Sequence, residues 1–246
     1  MLFHSRYIKS SFLLIIFVGI FLSSSNANIR QMTAQKMDIN ANQNTLRTFL
    51  ALGDSYTIGQ SVLESERYPV QTVKLLNDSG IHFSPPEIIA ATGWTTEDLE
   101  KSITKHLPGD AVYDVVTLLI GVNNQYQGKS QSEYKDQFRA LLLKAIQLAG
   151  NKVSHVIIIS IPDYSPTPFA QRENASKRVA AEIDSFNRIN KEIAQNYGAH
   201  YLNITGETRK AGTDNSLLAS DGLHYSGKEY AIWARKLASL IRSVLN

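Results

Sequence analysis

The chain of 246 residues contains no cysteine. That absence removes a disulfide framework, a thiol nucleophile, a Cys-ligated zinc or iron–sulfur site and an acylated-cysteine anchor. It leaves the compartment open. A strong charge of one sign is also lacking, since 25 Lys+Arg face 22 Asp+Glu for a net charge of +3. Long hydrophobic runs are scarce. The longest, Phe12–Leu22, has 11 residues, about 16 Å as a helix against a hydrocarbon core of about 30 Å. No serine sits in a G-x-S-x-G elbow and no H-E-x-x-H is present, which speaks against an ordinary α/β-hydrolase and a zinc peptidase. His82, His106, His155 and His200 are scattered, so neither a metal nor another cofactor is expected. What is present is 43% hydrophobic and 19% charged residues, the composition of a packed globular protein with a substantial core.

The first segment has the order of a secretory leader. His4, Arg6 and Lys9 precede the apolar run, and Ser25 and Ala27 follow it at the spacing of an A-x-A-type cleavage site. Residues 1–27 are therefore predicted to be a signal peptide and the protein to be exported, periplasmic or secreted, a retained N-terminal anchor being the alternative. The leader holds Arg6 and Lys9 but no acid, so its removal cuts the basic excess from three to one. The basicity then gives no support for a nucleic-acid partner. Residues 28–45 are polar and rich in Asn and Gln, and they read as a linker. One domain, 46–246, accounts for the rest, because no repeat or second shift in composition follows.

Within that domain short apolar runs alternate with longer amphipathic stretches. Strands are predicted at 47–52, 86–91, 113–120, 153–161 and 200–204, and helices near 68–78, 96–106, 131–149, 173–197 and 227–244. Capping-box patterns open three of the helices, at Thr95–Asp98, Ser130–Glu133 and Ser226–Glu229. The runs VVTLLI and HVIIISI are nearly continuous, as in strands covered on both faces. The alternation implies an α/β fold with a parallel sheet, right-handed crossovers and ligands beyond the carboxyl ends of the strands.

Four polar features fall on that edge. Gly53-Asp54-Ser55 follows the first strand, where Ser55 either presents an exposed hydroxyl or caps a helix. Gly93 follows the second, as a ligand-facing backbone N–H or a loop glycine. Asn123 in Gly121-Val122-Asn123-Asn124 follows the third, as an amide donor or as turn chemistry. Asp221 and His224 precede the last helix at a spacing that allows a carboxylate–imidazole pair. Together they make a parts list for acyl transfer: nucleophile, base, base-orienting acid and oxyanion donors. The Pro-rich segment 162–169 brings Tyr164 and Phe169 to the same edge. Either it walls a substrate pocket together with Tyr56 and Trp94, or it is a stiffened connection.

Other motifs fail. Residues 222–228 fit the start of a P-loop, but Glu229 stands where the magnesium-binding hydroxyl belongs. Sequons occur at Asn77, Asn174 and Asn203, the last within a predicted strand.

At these four blocks the chain resembles the SGNH hydrolases, also called GDSL esterases and lipases: Ser55 in GDS, Gly93, Asn123 in GVNN and His224 in DGLH, spanning about residues 50–235. In overall style it is similar to the bacterial lysophospholipase-like acyl hydrolases. The resemblance implies a flavodoxin-like three-layer α/β/α sandwich with a five-stranded parallel sheet. It implies Ser55 as nucleophile, His224 as base and Asp221 as its orienter. The implied oxyanion hole comprises the N–H groups of Ser55 and Gly93 and the Asn123 amide. One position departs: Asn124 stands where the family commonly has Asp, and an amide brings donors as well as an acceptor. The substrate expected is a small-molecule, lipid or glycan ester. A noncatalytic ligand-binding module and an O-acyltransferase are the competing classes on this scaffold.

Overall fold

The computed structural model describes residues 46–245; the predicted leader 1–27 and linker 28–45 lie outside the described residues. Five strands, β1 (Phe49–Gly53), β2 (Glu87–Ala90), β3 (Val115–Leu119), β4 (Val156–Ile159) and β5 (His200–Leu202), form one sheet in the order β2-β1-β3-β4-β5. Every pairing is parallel. The helices are α1 (Ser55–Ile58), α2 (Tyr68–Asp78), α3 (Thr96–His106), α4 (Val122–Tyr126), α5 (Gln131–Leu148), α6 (Pro168–Arg172), α7 (Ser176–Tyr197), α8 (Thr205–Thr208) and α9 (Gly227–Leu245).

The layers follow from sequence pattern and handedness. β1, β3 and β4 are buried along their whole length, as their unbroken apolar runs require, while the edge strands β2 and β5 are partly exposed. Right-handed crossovers put α2 on one face and α3, α5 and α7 on the other. Accordingly α5 packs against α3 and α7, and α9 returns to pack on α2. Helix α9 buries Tyr230, Trp233, Ala234, Leu237, Ala238 and Ile241, the three- and four-residue spacing of one helical face. Among the described residues no helix is long and apolar enough to cross a membrane.

The strand order reverses between β1 and β3, and α/β sheets leave a crevice for ligands at such a switch point. The register aligns the exits there. Gly53 stands opposite Ala90 of β2 and Leu119 of β3, so three loops leave the same edge at the same height.

Some boundaries differ from expectation. The predicted helix over 173–197 starts later, as α7 at Ser176, because Asn174 adopts φ 51° and turns the chain after α6, a short helix that was not expected. The first part of the predicted strand 153–161 is a single tight turn, Val153–His155, before β4 begins. Of the capping boxes, the one at Thr95 is reciprocal with Asp98. At Ser130 only the serine half forms, with its oxygen accepting from Glu133 N–H. The box at Ser226 is absent. Ser226 donates instead to Ser216 O, and the Glu229 carboxylate, fully buried, accepts from Trp233 Nε1 at 2.7 Å. Packing of the tryptophan captured the acid that the pattern assigned to the helix cap.

Candidate active site

The turn after β1 admits only glycine at its start. A Cβ on Gly53 would lie 2.1 Å from Thr57 Oγ1 and 2.5 Å from Leu119 O, so α1 begins tight against the sheet. Asp54 is its N-cap, accepting from Tyr56 N–H through Oδ1 at 3.0 Å, and its backbone oxygen takes the Thr57 and Ile58 N–H groups. Ser55, as the first helical residue, has no intrahelical acceptor for its own N–H. That N–H and the Ser55 hydroxyl remain without a protein partner among the described residues, and Ser55 lines an open cavity of about 280 Å³.

Gly93 follows β2 with φ 84°, a conformation that glycine reaches without the cost of a side chain. It too lines the cavity. Asn123, in the first turn of α4, donates Nδ2–H to the Trp94 carbonyl at 2.9 Å, which orients the amide and leaves its second hydrogen free. Its neighbour Asn124 is fully buried and uses both ends of its amide. Oδ1 accepts from Thr96 N–H at 3.0 Å and Nδ2 donates to Thr96 Oγ1 at 2.7 Å. The Thr96 hydroxyl then donates to Gln137 Oε1. The departure from Asp thus suits a site that needs an acceptor and a donor side by side.

His224 and Asp221 form a pair ahead of α9. His224 Nδ1 lies 2.7 Å from Asp221 Oδ2, while Oδ1 accepts the N–H groups of Leu223 and His224 at 2.9 Å each. Burial pushes the Asp221 carboxyl up, but hydrogen bonds from Ser61, Leu223 and His224 outweigh it and hold it down at about 2. With Nδ1 donating to this fixed anion, Nε2 of the neutral ring is the proton acceptor. His224 is 8% exposed and packs against the Tyr56 ring, 5.3 Å between centroids.

The cavity is completed by Tyr56, Thr92, Val122, Tyr126, Tyr164, Phe169 and Leu223. The Pro-rich segment thus brings Tyr164 and Phe169 into the cavity lining, with the Phe169 ring 6.3 Å from Tyr164 and 6.1 Å from Tyr126. Trp94 does not line it. Its side chain packs on the core while only its carbonyl serves the site, as acceptor for Asn123. Ser55, Gly93, Asn123, His224, Tyr56, Tyr164 and Phe169 are thus brought together, with Asp221 behind His224. Tyr126, one helical turn beyond Asn123, and Leu223, between Asp221 and His224, were within reach of spacing arguments. Among the described residues no group of three or more His, Asp or Glu side chains is arranged to hold a metal ion.

The sequence matches the family described as GDSL-like lipase/acylhydrolase over residues 51–232, a span that holds every block of this site. The chain belongs to that family. It is an ester-hydrolysing GDSL/SGNH enzyme, and its sheet order is that of the flavodoxin-like sandwich. Solved structures share the fold. A lipase/acylhydrolase from Enterococcus faecalis is 18% identical with a TM-score of 0.62, covering 80% of this chain and 96% of its own. An acetylxylan esterase from Geobacillus stearothermophilus is 20% identical with a TM-score of 0.61, covering 79% and 94%. The psychrotrophic esterase EstA from Pseudoalteromonas is 18% identical with a TM-score of 0.57, covering 81% and 99%. A comparison with curated proteins finds no match.

Proposed function

We propose that this GDSL/SGNH enzyme is an exported serine esterase that cleaves small, uncharged carboxylic esters through an acyl-enzyme. The observation that carries the reading is convergence on one cavity of Ser55, the Asp221–His224 pair, and three donors at Ser55, Gly93 and Asn123. His224 Nε2 takes the Ser55 proton as Oγ attacks the ester carbonyl, and the developing oxyanion meets the three donors. The protonated imidazole then donates to the departing alcohol oxygen. Water enters, gives its proton to the same nitrogen and attacks the acyl carbon, and Ser55 Oγ leaves with that proton. Asp221 stays ionised throughout and stabilises the imidazolium.

Two features support a small neutral substrate. The cavity of about 280 Å³ sits at the lower limit for organic ligand pockets, and among the described residues its lining contains no Lys, Arg, Asp or Glu. A phosphate-bearing lysophospholipid would find no fixed cation in it. Export rests on the basic, apolar and small-residue order of residues 1–27, and residues 46–246 are taken as the catalytic domain.

The test is a series of para-nitrophenyl esters from acetate to decanoate, with Ser55→Ala as control. Highest kcat/KM at the short end and loss of turnover in Ser55→Ala are expected. Undiminished hydrolysis by Ser55→Ala would sink the reading, and a decanoate optimum would overturn the small-acyl part.

A further inference from the structure

The contact between Ser61 and Asp221 belongs to none of the four sequence blocks. Ser61 Oγ donates to Asp221 Oδ2 at 2.7 Å, the same oxygen that faces His224 Nδ1. The other protein donors to this carboxylate, among the described residues, come from Leu223 and His224 in its own loop. Among the described residues Ser61 is thus the one donor that reaches it from outside that loop.

The backbone at Ser61 is unusual. Its φ is 67°, in the left-handed region, and among the described residues the other non-glycine positions with positive φ are Asn151 and Asn174. Asparagine visits that region at modest cost, whereas serine is a less natural occupant. Neither glycine nor asparagine stands at 61, so conformational ease does not explain the serine. A hydroxyl aimed at a carboxylate does. Position 61 also follows directly from the nucleophile's helix. Gly59 ends α1 with φ 71°, Gln60 N–H returns to Ser55 O at 2.9 Å, and Gln60 Oε1 accepts from Thr92 Oγ1 at 2.6 Å, beside Gly93. Residues 59–61 therefore touch the nucleophile turn, the Gly93 loop and the Asp221 loop in succession.

We infer that Ser61 is a positioning residue for the acid of the triad. It fixes the Asp221 carboxylate from outside its own loop, so that the His224 ring keeps its tautomer and orientation while protons pass through Nε2. Ser61 does not line the cavity and acts only through Asp221. The inference rests on the catalytic reading of Ser55, His224 and Asp221 given above. Ser61 is exposed, so substitutions leave the core intact.

The test compares Ser61→Ala, Ser61→Gly and Ser61→Asn with the parent in the full chain, using para-nitrophenyl acetate kinetics and fluorophosphonate labelling of Ser55. Ser61→Ala and Ser61→Gly are expected to lower kcat about tenfold, the scale of one hydrogen bond to a charged group, with KM within about twofold. Ser61→Asn, which offers an amide donor from the same backbone, recovers most of the loss. Parental kcat in Ser61→Ala, or in Ser61→Gly, overturns the inference, as does a loss confined to KM. A parent that neither turns over nor labels at Ser55 takes down the proposed function and this inference together. An active, labelled parent beside an unaffected Ser61→Ala takes down this inference alone.

Discussion

Asn123 donates its side-chain amide to the main-chain carbonyl of Trp94 at 2.9 Å, tying the exit of β3 to the exit of β2. The bond spends one amide hydrogen on the protein and turns the other towards the cavity that Ser55 and Gly93 share. In the proposed mechanism these groups form the oxyanion hole, oriented before substrate arrives, so that little reorganisation is required at the transition state.

Asn123→Ala should therefore lower kcat by about 10² to 10³, the usual cost of one oxyanion donor, roughly 3–4 kcal/mol. Steady-state kinetics on a short aryl ester measure this, with the melting temperature as a control for folding. A kcat within a few-fold of the parent would remove Asn123 from the oxyanion hole.

The neighbouring residue predicts a stability effect. In Asn124→Asp the buried group can still accept from Thr96 N–H, but it can no longer donate to Thr96 Oγ1. The single hydroxyl hydrogen of Thr96 then faces two acceptors, the introduced carboxylate and Gln137 Oε1, which already holds it. The expected loss is about 1–3 kcal/mol in urea unfolding, the penalty of an unsatisfied buried polar group. Glu133→Gln should restore part of it. It removes the carboxylate that accepts from Gln137 Nε2 and so lets the Gln137 amide flip. An Asn124→Asp variant as stable as the parent would show that this network carries no net energy.

Asp54 makes stability depend on pH. Its carboxyl is fully buried, Oδ2 has no hydrogen-bond partner among the described residues, and burial raises it to about 7 against the partial offset of the Tyr56 and Asp54 backbone N–H groups. The folded state thus holds a proton that the unfolded chain releases at about 3.8. Stability from this group is complete below about pH 4 and is lost progressively as pH rises towards 7, by a few kcal/mol in all. Asp54→Asn keeps the cap oxygen and removes the titration. Urea midpoints of parent and variant, compared at pH 4.5 and pH 8, should shift in favour of Asp54→Asn at the higher pH. A constant difference between the two proteins would contradict this.

Cavity size is set in part by the half-buried Phe169 ring. Phe169→Ala should shift the acyl-length preference upward, raising the hexanoate-to-acetate ratio of kcat/KM by about tenfold or more, given 1–3 kcal/mol per methylene in an apolar pocket. An unchanged ratio would place the acyl group elsewhere.

Much of this was legible in the sequence, for identifiable reasons. Ser55, Gly93 and Asn123 each lie within a few residues of a strand's end and His224 lies just ahead of the last helix, so locating the elements located the residues. Asp221 and His224 are three apart and need only a loop to meet. What escaped depended on tertiary contact. Ser61 and Asp221 are far apart in the chain, and nothing local marks either for the other. Trp94 read as a pocket aromatic, yet the fold uses its carbonyl and turns its ring to the core. The pattern at Ser226 and Glu229 is a sound cap in isolation, but Trp233 took the carboxylate once α9 was packed.

The central claim is that Ser55 is the nucleophile, activated by His224. Incubation of the full chain with a fluorophosphonate, followed by peptide mass spectrometry, tests it most directly. The account predicts one stoichiometric adduct on Ser55, parallel loss of esterase activity, and strongly slowed labelling in His224→Ala. An adduct on another residue, or full activity in protein labelled at Ser55, would contradict it.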